Sequence, residues 1–140
     1  MTSDASKAVV RRWFEAVEAG AADLSEMLAE DVRWWVPPGS PLGGTYEGKA
    51  AVLGLMSSGI DRYDAATPLR IEVVSILAEG ERVAAEVVLE ARTARGEDYR
   101  NHYHFAFRVA GGKLREVREY VDTRYAQQKL FDPAARVTGP

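Results

Sequence analysis

The sequence predicts an α+β domain in which N-terminal helices pack in a strongly curved, mostly antiparallel sheet. Two observations carry this prediction. Apolar residues recur at helical spacing in the first 60 residues, and alternating segments separated by glycine turns follow between residues 69 and 122. Helices followed by a run of antiparallel strands are typical of a sheet with one face covered by helices. A strongly twisted sheet can enclose a pocket on its concave side.

Composition limits the classes of protein to consider. The chain of 140 residues is 46% hydrophobic, so we expect one domain over residues 1–140, with 126–140 as a C-terminal tail. A net charge of −3 gives no basic field for nucleic acid. Neither an apolar stretch near ~20 residues nor a signal segment is evident, so no membrane association is expected and a cytoplasmic location is. The absence of cysteine excludes disulfides and thiolate metal sites.

Three helices are predicted in the first part of the chain. The first has Ser3 or Asp4 as its cap and ends at Gly20, and a second short helix follows Asp23. A third runs from about residue 48 to 59. The apolar stripe of the first helix consists of Val10, Trp13, Phe14 and Val17.

The strands are predicted from period-two alternation. A strand over residues 32–36 is followed by a loop over residues 37–44, which is rich in proline and glycine. A later run of strands covers residues 69–77, 82–92, 99–109 and 114–122.

Polar groups occur on the apolar faces of the last two strands. Asn101 shares a face with Tyr103 and Phe105, and Glu119 lies between Val117 and Val121. A buried polar group costs free energy unless it has a partner, so such a face indicates a cavity. Glu119 is therefore the leading candidate for general acid or base. The alternatives are a carboxylate paired with a nearby arginine and an ordinary core around Tyr103.

Two segments, together with the order of elements, resemble the SnoaL-like, ketosteroid-isomerase-related branch of the NTF2-like superfamily. They are residues 30–34, after the short helix, and residues 112–123, at the last strand. The superfamily includes ketosteroid isomerases, limonene-epoxide hydrolases, scytalone dehydratases and polyketide cyclases. The resemblance implies a conical barrel, a pocket inside the cone and a homodimer through the outer face of the sheet.

Within this resemblance, Glu119 matches the aspartate that activates water together with an Arg-x-Asp unit in epoxide hydrolases of the fold. The partner positions hold Glu86 and Val88, so that unit is absent. Val36 stands where ketosteroid isomerases carry their proton-abstracting aspartate. Polyketide cyclases offer a looser match, a carboxylate near the end of the last strand, for which Glu119 or Asp122 would serve.

The face occupied by Glu86 is open between two assignments. The family pattern points it into the cone beside Glu119, where two carboxylates would divide into one acid and one base. Hydrophobic alternation instead makes Glu86 a solvated strand residue, because its neighbours Ala85 and Val87 are apolar. We adopt the family pattern, since an apolar outer face also suits a dimer interface.

The spacing of His102 and His104 places two imidazoles on one strand face, as in some metal sites. Arg100 and Arg108 share that face and would repel a cation. No metal site is therefore predicted.

The sequence thus predicts a cofactor-free acid–base enzyme acting on a small, largely apolar molecule, of isomerase, cyclase, dehydratase or hydrolase type. The alternative is a non-catalytic binding protein of the same fold. Glu119 is the expected acid or base, with Asp122 or Glu86 as its partner. The expected substrate-binding residues are Trp34, Asn101, Tyr103, Phe105, Val88 and Val121.

Overall fold

A six-stranded sheet packs on the N-terminal helix in the computed structural model, which describes residues 2–131. The helices are α1 (Ser3–Ala19), α2 (Lys49–Ile60) and α3 (Thr123–Ala126), with a 3₁₀ turn at Leu24–Met27 and a π-helical turn at Gln127–Phe131. The strands are β1 (Leu28–Val36), β2 (Gly44–Glu47), β3 (Arg70–Glu79), β4 (Arg82–Arg92), β5 (Asp98–Ala110) and β6 (Lys113–Val121). The predicted α+β class is confirmed.

The strand order is β2-β1-β6-β5-β4-β3. Every neighbouring pair is antiparallel except β1 and β6, which run parallel. The last strand along the chain is therefore inserted beside the first. Register shifts in β3, in β5–β6 and between β1 and β6 interrupt the ladders, and such irregularities bend a sheet.

Helix α1 covers the inner face of the sheet with the predicted apolar stripe. Val10, Trp13 and Phe14 are buried, and the helix ends at Gly20 in a left-handed conformation. The cap differs from the prediction. The Thr2 side chain accepts a hydrogen bond from the backbone N–H of Ala5, while the Ser3 hydroxyl accepts one from Gly80 N–H at 2.9 Å. Ser3 thereby ties the helix to the β3–β4 turn.

The predicted strand and loop before α2 are longer and more structured than expected. β1 begins at Leu28 rather than at Val32, and the short edge strand β2 was not predicted. The intervening loop folds tightly. A Cβ atom on Gly43 would lie 2.8 Å from Cα of Pro38, so only glycine fits there.

The first part of the predicted C-terminal tail is helical. Tyr125 in α3 packs its ring 5.3 Å from that of Tyr99, and Arg95 donates a hydrogen bond to the carbonyl of Lys129. Residues 126–131 therefore pack against the domain, which corrects the predicted tail boundary; residues 132–140 lie outside the described residues. Across residues 2–131, none of the helices is both long and apolar enough to span a membrane.

Candidate functional site

Two adjoining lobes form a cavity between the inner face of the sheet, α1, α2 and the C-terminal turn. The first has a volume of about 180 Å³ and the second about 140 Å³. Aromatic and aliphatic side chains dominate the first lobe, among them Trp13, Phe14, Val87, Leu89 and Phe105. Both lobes share the side chains at their junction: Trp34, Met56, Tyr63, Tyr103 and Glu119.

Glu119 is the carboxylate at this junction. Alternation along β6 places it on the inner face, in register with Phe105 of β5. The Trp34 indole N–H donates a hydrogen bond to its Oε1 atom at 3.0 Å. Burial raises the pKa of the Glu119 carboxyl, and the hydrogen bond from Trp34 opposes part of that rise. Glu119 thus has an indole partner rather than the arginine considered as an alternative.

Aromatic side chains surround Glu119 on three sides. The ring of Phe105 lies 6.4 Å from that of Trp34 and stacks on Tyr103 at 5.8 Å. The ring of Trp13 lies 6.0 Å from that of Trp34. An apolar aromatic wall of this kind suits a planar ligand and keeps the local dielectric low.

A tyrosine network borders the same junction. The hydroxyl groups of Tyr99 and Tyr103 lie 2.9 Å apart, and Tyr99 accepts a second hydrogen bond from Nδ2 of Asn101 at 2.9 Å. Burial is the main cause that raises the pKa of Tyr103, with Tyr63, Tyr99 and Glu119 adding to it. The Tyr103 hydroxyl therefore stays protonated, and it is available as a hydrogen-bond donor at the cavity wall.

Tyr63 is the functional residue that the sequence analysis missed. It lies in the turn after α2, lines both lobes, and packs its ring 5.6 Å from that of Tyr99. Burial raises the pKa of Tyr63 far above its ordinary range, and the nearby Tyr99 and Glu119 raise it further. Because the residue lies outside any periodic segment, strand alternation gave no signal for it.

Asn101 has a different position from the one expected. It is 2% exposed, lines neither lobe, and uses both ends of its amide within the protein. Nδ2 donates to the carbonyl of Asp122 at 3.1 Å as well as to Tyr99, and Oδ1 accepts from the backbone N–H of His102 at 2.8 Å. Asn101 is thus a positioning residue behind the tyrosines rather than a group that contacts substrate.

Glu86 and Val88 lie on the outer face of the sheet, contrary to the adopted assignment. Glu86 is exposed and in register with His104, and Val88 is in register with His102. Their neighbours Val87 and Leu89 line the first lobe instead. Hydrophobic alternation along β4 was the better guide here, and the alignment on turn glycines was wrong.

Asp122 also lies outside the cavity. Its exposed side chain caps α3 by accepting a hydrogen bond from the backbone N–H of Tyr125 at 3.1 Å. It therefore has a local structural partner and lines neither lobe. Of the other predicted binding residues, Trp34 and Tyr103 line both lobes, Phe105 lines the first and Val121 the second.

His102 and His104 are exposed on the outer face of β5. His102 lies 3.5 Å from the Arg100 guanidinium, measured between Nε2 and Nη1. Among residues 2–131, His, Asp and Glu side chains nowhere gather in a group of three or more that could bind a metal ion.

The sequence matches the family model described as a SnoaL-like domain over residues 10–117. A comparison with curated proteins finds no match.

Solved structures share the fold. An NTF2-like protein from Burkholderia xenovorans is 26% identical with a TM-score of 0.72, and the match covers 93% of this chain and 98% of that one. A candidate SnoaL-like polyketide cyclase from Jannaschia is 14% identical with a TM-score of 0.76, covering 91% and 92% of the two chains. A candidate isomerase from Bacillus subtilis is 15% identical with a TM-score of 0.77, covering 90% and 92%. The last two matches show the fold alone.

The family match spans most of the chain, and the helix and strand order is that of the similar structures. The resemblance predicted from the sequence is therefore confirmed. The protein belongs to the SnoaL-like domain family of the NTF2-like superfamily.

Proposed function

We propose that the protein is an acid–base enzyme acting on a small, largely apolar molecule bound in the cone. The observation that carries the proposal is the Glu119 carboxyl, which lies at the junction of two lobes with a pKa raised by burial. Such a group exchanges protons readily near neutral pH, which is what general acid–base catalysis requires. Family relatives named as a cyclase and an isomerase support the reaction class.

The chemistry that suits these residues is proton abstraction next to a carbonyl group. Ionised Glu119 removes a proton from carbon, and the electron pair of the C–H bond moves to the carbonyl oxygen as an enolate. Tyr63 or Tyr103 donates a hydrogen bond to that oxygen, because both hydroxyls stay protonated. Return of the proton from Glu119 to another carbon gives an isomer, and attack of the enolate on a second carbonyl closes a ring.

An epoxide-hydrolase reaction has less support. It needs polar partners that hold and activate a water molecule beside the carboxylate. The two matching positions are Glu86 and Val88, which face outward. The partner of Glu119 is Trp34, whose indole N–H donates a hydrogen bond and cannot accept one from water. Isomerase and cyclase chemistry therefore fit the site better than hydrolysis.

A non-catalytic binding protein is the second candidate function. It is favoured by the loss of both expected partners of Glu119 from the cavity. Within the part of the chain that the structure describes, Glu119 is the one carboxylate that lines the two lobes. A single carboxyl can carry a proton between two carbons, whereas it cannot act as separate acid and base in the same step.

A proton-exchange assay separates the two functions without knowledge of the natural substrate. The bicyclic ketone 2-tetralone is incubated in D₂O, and NMR follows deuterium incorporation next to its carbonyl. The wild-type protein is expected to accelerate exchange roughly 10²-fold or more over Glu119→Gln, since a positioned general base contributes about that factor. Glu116→Gln is the matched control, because Glu116 lies on the same strand outside both lobes.

Equal exchange rates in wild type and Glu119→Gln would contradict the catalytic role. Binding of the ketone without any acceleration, seen as perturbed NMR signals of the Trp34 and Trp13 indoles, would support the binding protein instead.

The proposal includes a homodimer through the outer face of the sheet. Leu77 is 69% exposed on that face, and Tyr120 is 43% exposed beside Trp35. Large apolar side chains are rarely left in water in such numbers on a monomer. Sedimentation velocity of the wild type against Leu77→Lys tests the dimer, which the charge is expected to dissociate.

A further inference from the structure

Arg62 is a charged side chain in the second lobe that the acid–base chemistry does not use. It follows α2 directly and lines the lobe together with Leu130 and Phe131. We propose that Arg62 binds a carboxylate of the substrate, so that the substrate class is an aromatic or polycyclic carboxylic acid. This inference deepens the proposed function, because it names the substrate of the same cavity.

The backbone around Arg62 is fixed at both ends. Its N–H donates to the carbonyl of Gly59 at 3.1 Å, and its carbonyl accepts from the N–H of Ala94 at 2.9 Å. The guanidinium carbon lies 4.4 Å from the centroid of the Phe131 ring. Arg62 is thereby held at the cavity wall, with one flat face of the guanidinium covered.

The guanidinium is left without an anionic partner by the described chain. Its Nε atom is buried and forms no hydrogen bond within residues 2–131, and no carboxylate in that range forms an ion pair with it. The nearby Asp64 carboxylate is used in its own turn, where it accepts from Ala66 N–H and the Thr67 hydroxyl. A partly buried cation with unused donors is costly unless an anion binds to it.

The remaining side chains of the lobe give the anion no better place. Ser40, Tyr63 and Tyr103 are neutral, and Glu119 is bound to the Trp34 indole. A guanidinium carries several N–H donors in a planar fork that matches a carboxylate geometrically. A carboxylate at Arg62 would thus gain charge-assisted hydrogen bonds and remove the unpaired charge.

The lobe volumes set the size of the acid. A dry protein cavity of ~150 Å³ holds one benzene molecule. The lobes of about 180 Å³ and 140 Å³ are therefore each the size of roughly one ring. With the carboxylate at Arg62, the apolar body extends past Tyr63 and Glu119 into the aromatic first lobe. The carbon that loses its proton then lies at the junction.

The test measures binding rather than turnover. Isothermal titration calorimetry compares 2-naphthoate with the neutral, nearly isosteric 2-naphthamide. The wild-type protein is expected to bind the acid roughly 10- to 100-fold more tightly, as hydrogen bonds to a charged group are worth that factor. In Arg62→Met, which keeps an apolar contact with Phe131, the preference is expected to disappear.

Two further variants make the result specific. Arg95→Met is the matched control, because Arg95 also contacts the C-terminal turn but lines neither lobe; it should keep the acid preference. Arg62→Lys keeps the charge without the fork and should retain only part of it, so it decides the matter if Arg62→Met does not fold. Equal binding of acid and amide by the wild type, or an unchanged preference in the Arg62 variants, would overturn the inference.

The outcome is independent of catalysis. Glu119→Gln removes a negative charge from the cavity and should bind 2-naphthoate at least as tightly as the wild type does. A protein that prefers the acid through Arg62 while Glu119→Gln leaves proton exchange unchanged would be an acid-binding protein without the proposed chemistry. Loss of the acid preference with a large Glu119→Gln effect on exchange would leave an enzyme for neutral ketones.

Discussion

Removal of the Trp34 indole N–H tests whether this hydrogen bond controls the ionisation of Glu119. Trp34→Phe keeps an aromatic ring in the cavity wall but deletes the donor that lies 3.0 Å from Oε1. The bond opposes the effect of burial on the Glu119 pKa. Without it, the charged form of the carboxyl loses its partner while the cavity stays apolar, so the pKa is expected to rise further.

The size of the effect follows from the charge of the acceptor. A hydrogen bond to an ionised group contributes ~1.5–3 kcal/mol, and one to a neutral group contributes ~0.5–1.5 kcal/mol. The difference between the two protonation states is therefore about 1 kcal/mol of additional ionisation free energy in Trp34→Phe. A change of 1.36 kcal/mol corresponds to about one pKa unit, which is well within the range of an NMR titration.

The assay is a pH titration of ¹³C-labelled glutamate carboxyl groups by NMR, with Glu119 assigned from the signal that is missing in Glu119→Gln. Trp13→Phe is the control, because it removes the same indole volume from the first lobe without removing a hydrogen bond to Glu119. A Glu119 pKa that stays constant or falls in Trp34→Phe, or that rises equally in Trp13→Phe, would refute the reasoning.

Three changes of stability, each measured by urea denaturation, probe the support of the site. Since the folded-state pKa of Glu119 is raised, its ionisation destabilises the fold as pH rises; Glu119→Gln should unfold at higher urea than the wild type at pH 8, by ~1.4 kcal/mol per unit of pKa elevation, and the two curves should coincide below pH 4.5. Tyr99→Phe deprives Asn101 and Tyr103 of a buried partner and should cost about 1–3 kcal/mol, whereas Tyr125→Phe, which loses a bond at the surface, should cost about 0.5 kcal/mol. Gly43→Ala forces a Cβ against Pro38 and should cost about 1–3 kcal/mol, while Gly39→Ala, with open space around it, should stay within ~0.5 kcal/mol. A Tyr99→Phe cost no larger than that of Tyr125→Phe, a pH-independent Glu119→Gln difference, or equal costs at the two glycines would contradict these expectations.

The sequence predicted the parts of the site that depend on strand periodicity. Alternation along β6 placed Glu119 on the inner face, and alternation along β5 did the same for Tyr103 and Phe105. Where alternation and the family pattern disagreed, at Glu86, alternation was right because a charged side chain on the solvent face needs no buried partner. The family pattern gave the fold correctly and this one side-chain direction incorrectly.

Other parts of the site carry no periodic signal. Tyr63 and Arg62 lie in the turn after α2, where the course of the chain depends on the isolated bridge between Tyr63 and Thr93. The side of the cavity formed by Leu130 and Phe131 belongs to a short helical turn that propensity alone does not predict. Asn101 was correctly predicted as buried, but its amide is used by Tyr99 and by backbone groups that only the tertiary structure brings near.

The parallel pairing of β1 with β6 has a consequence for how the protein is made. β6 lies between β1 and β5, so the β1–β2 hairpin has no neighbour in the sheet until the last strand is available. Contacts between segments so far apart in sequence close large loops and form slowly. A nascent chain on the ribosome therefore exposes the apolar side of β1, including Trp34, until residue 121 has emerged. During synthesis the molecule is most prone to aggregation at this point, and a chaperone that shields aromatic strands would act there.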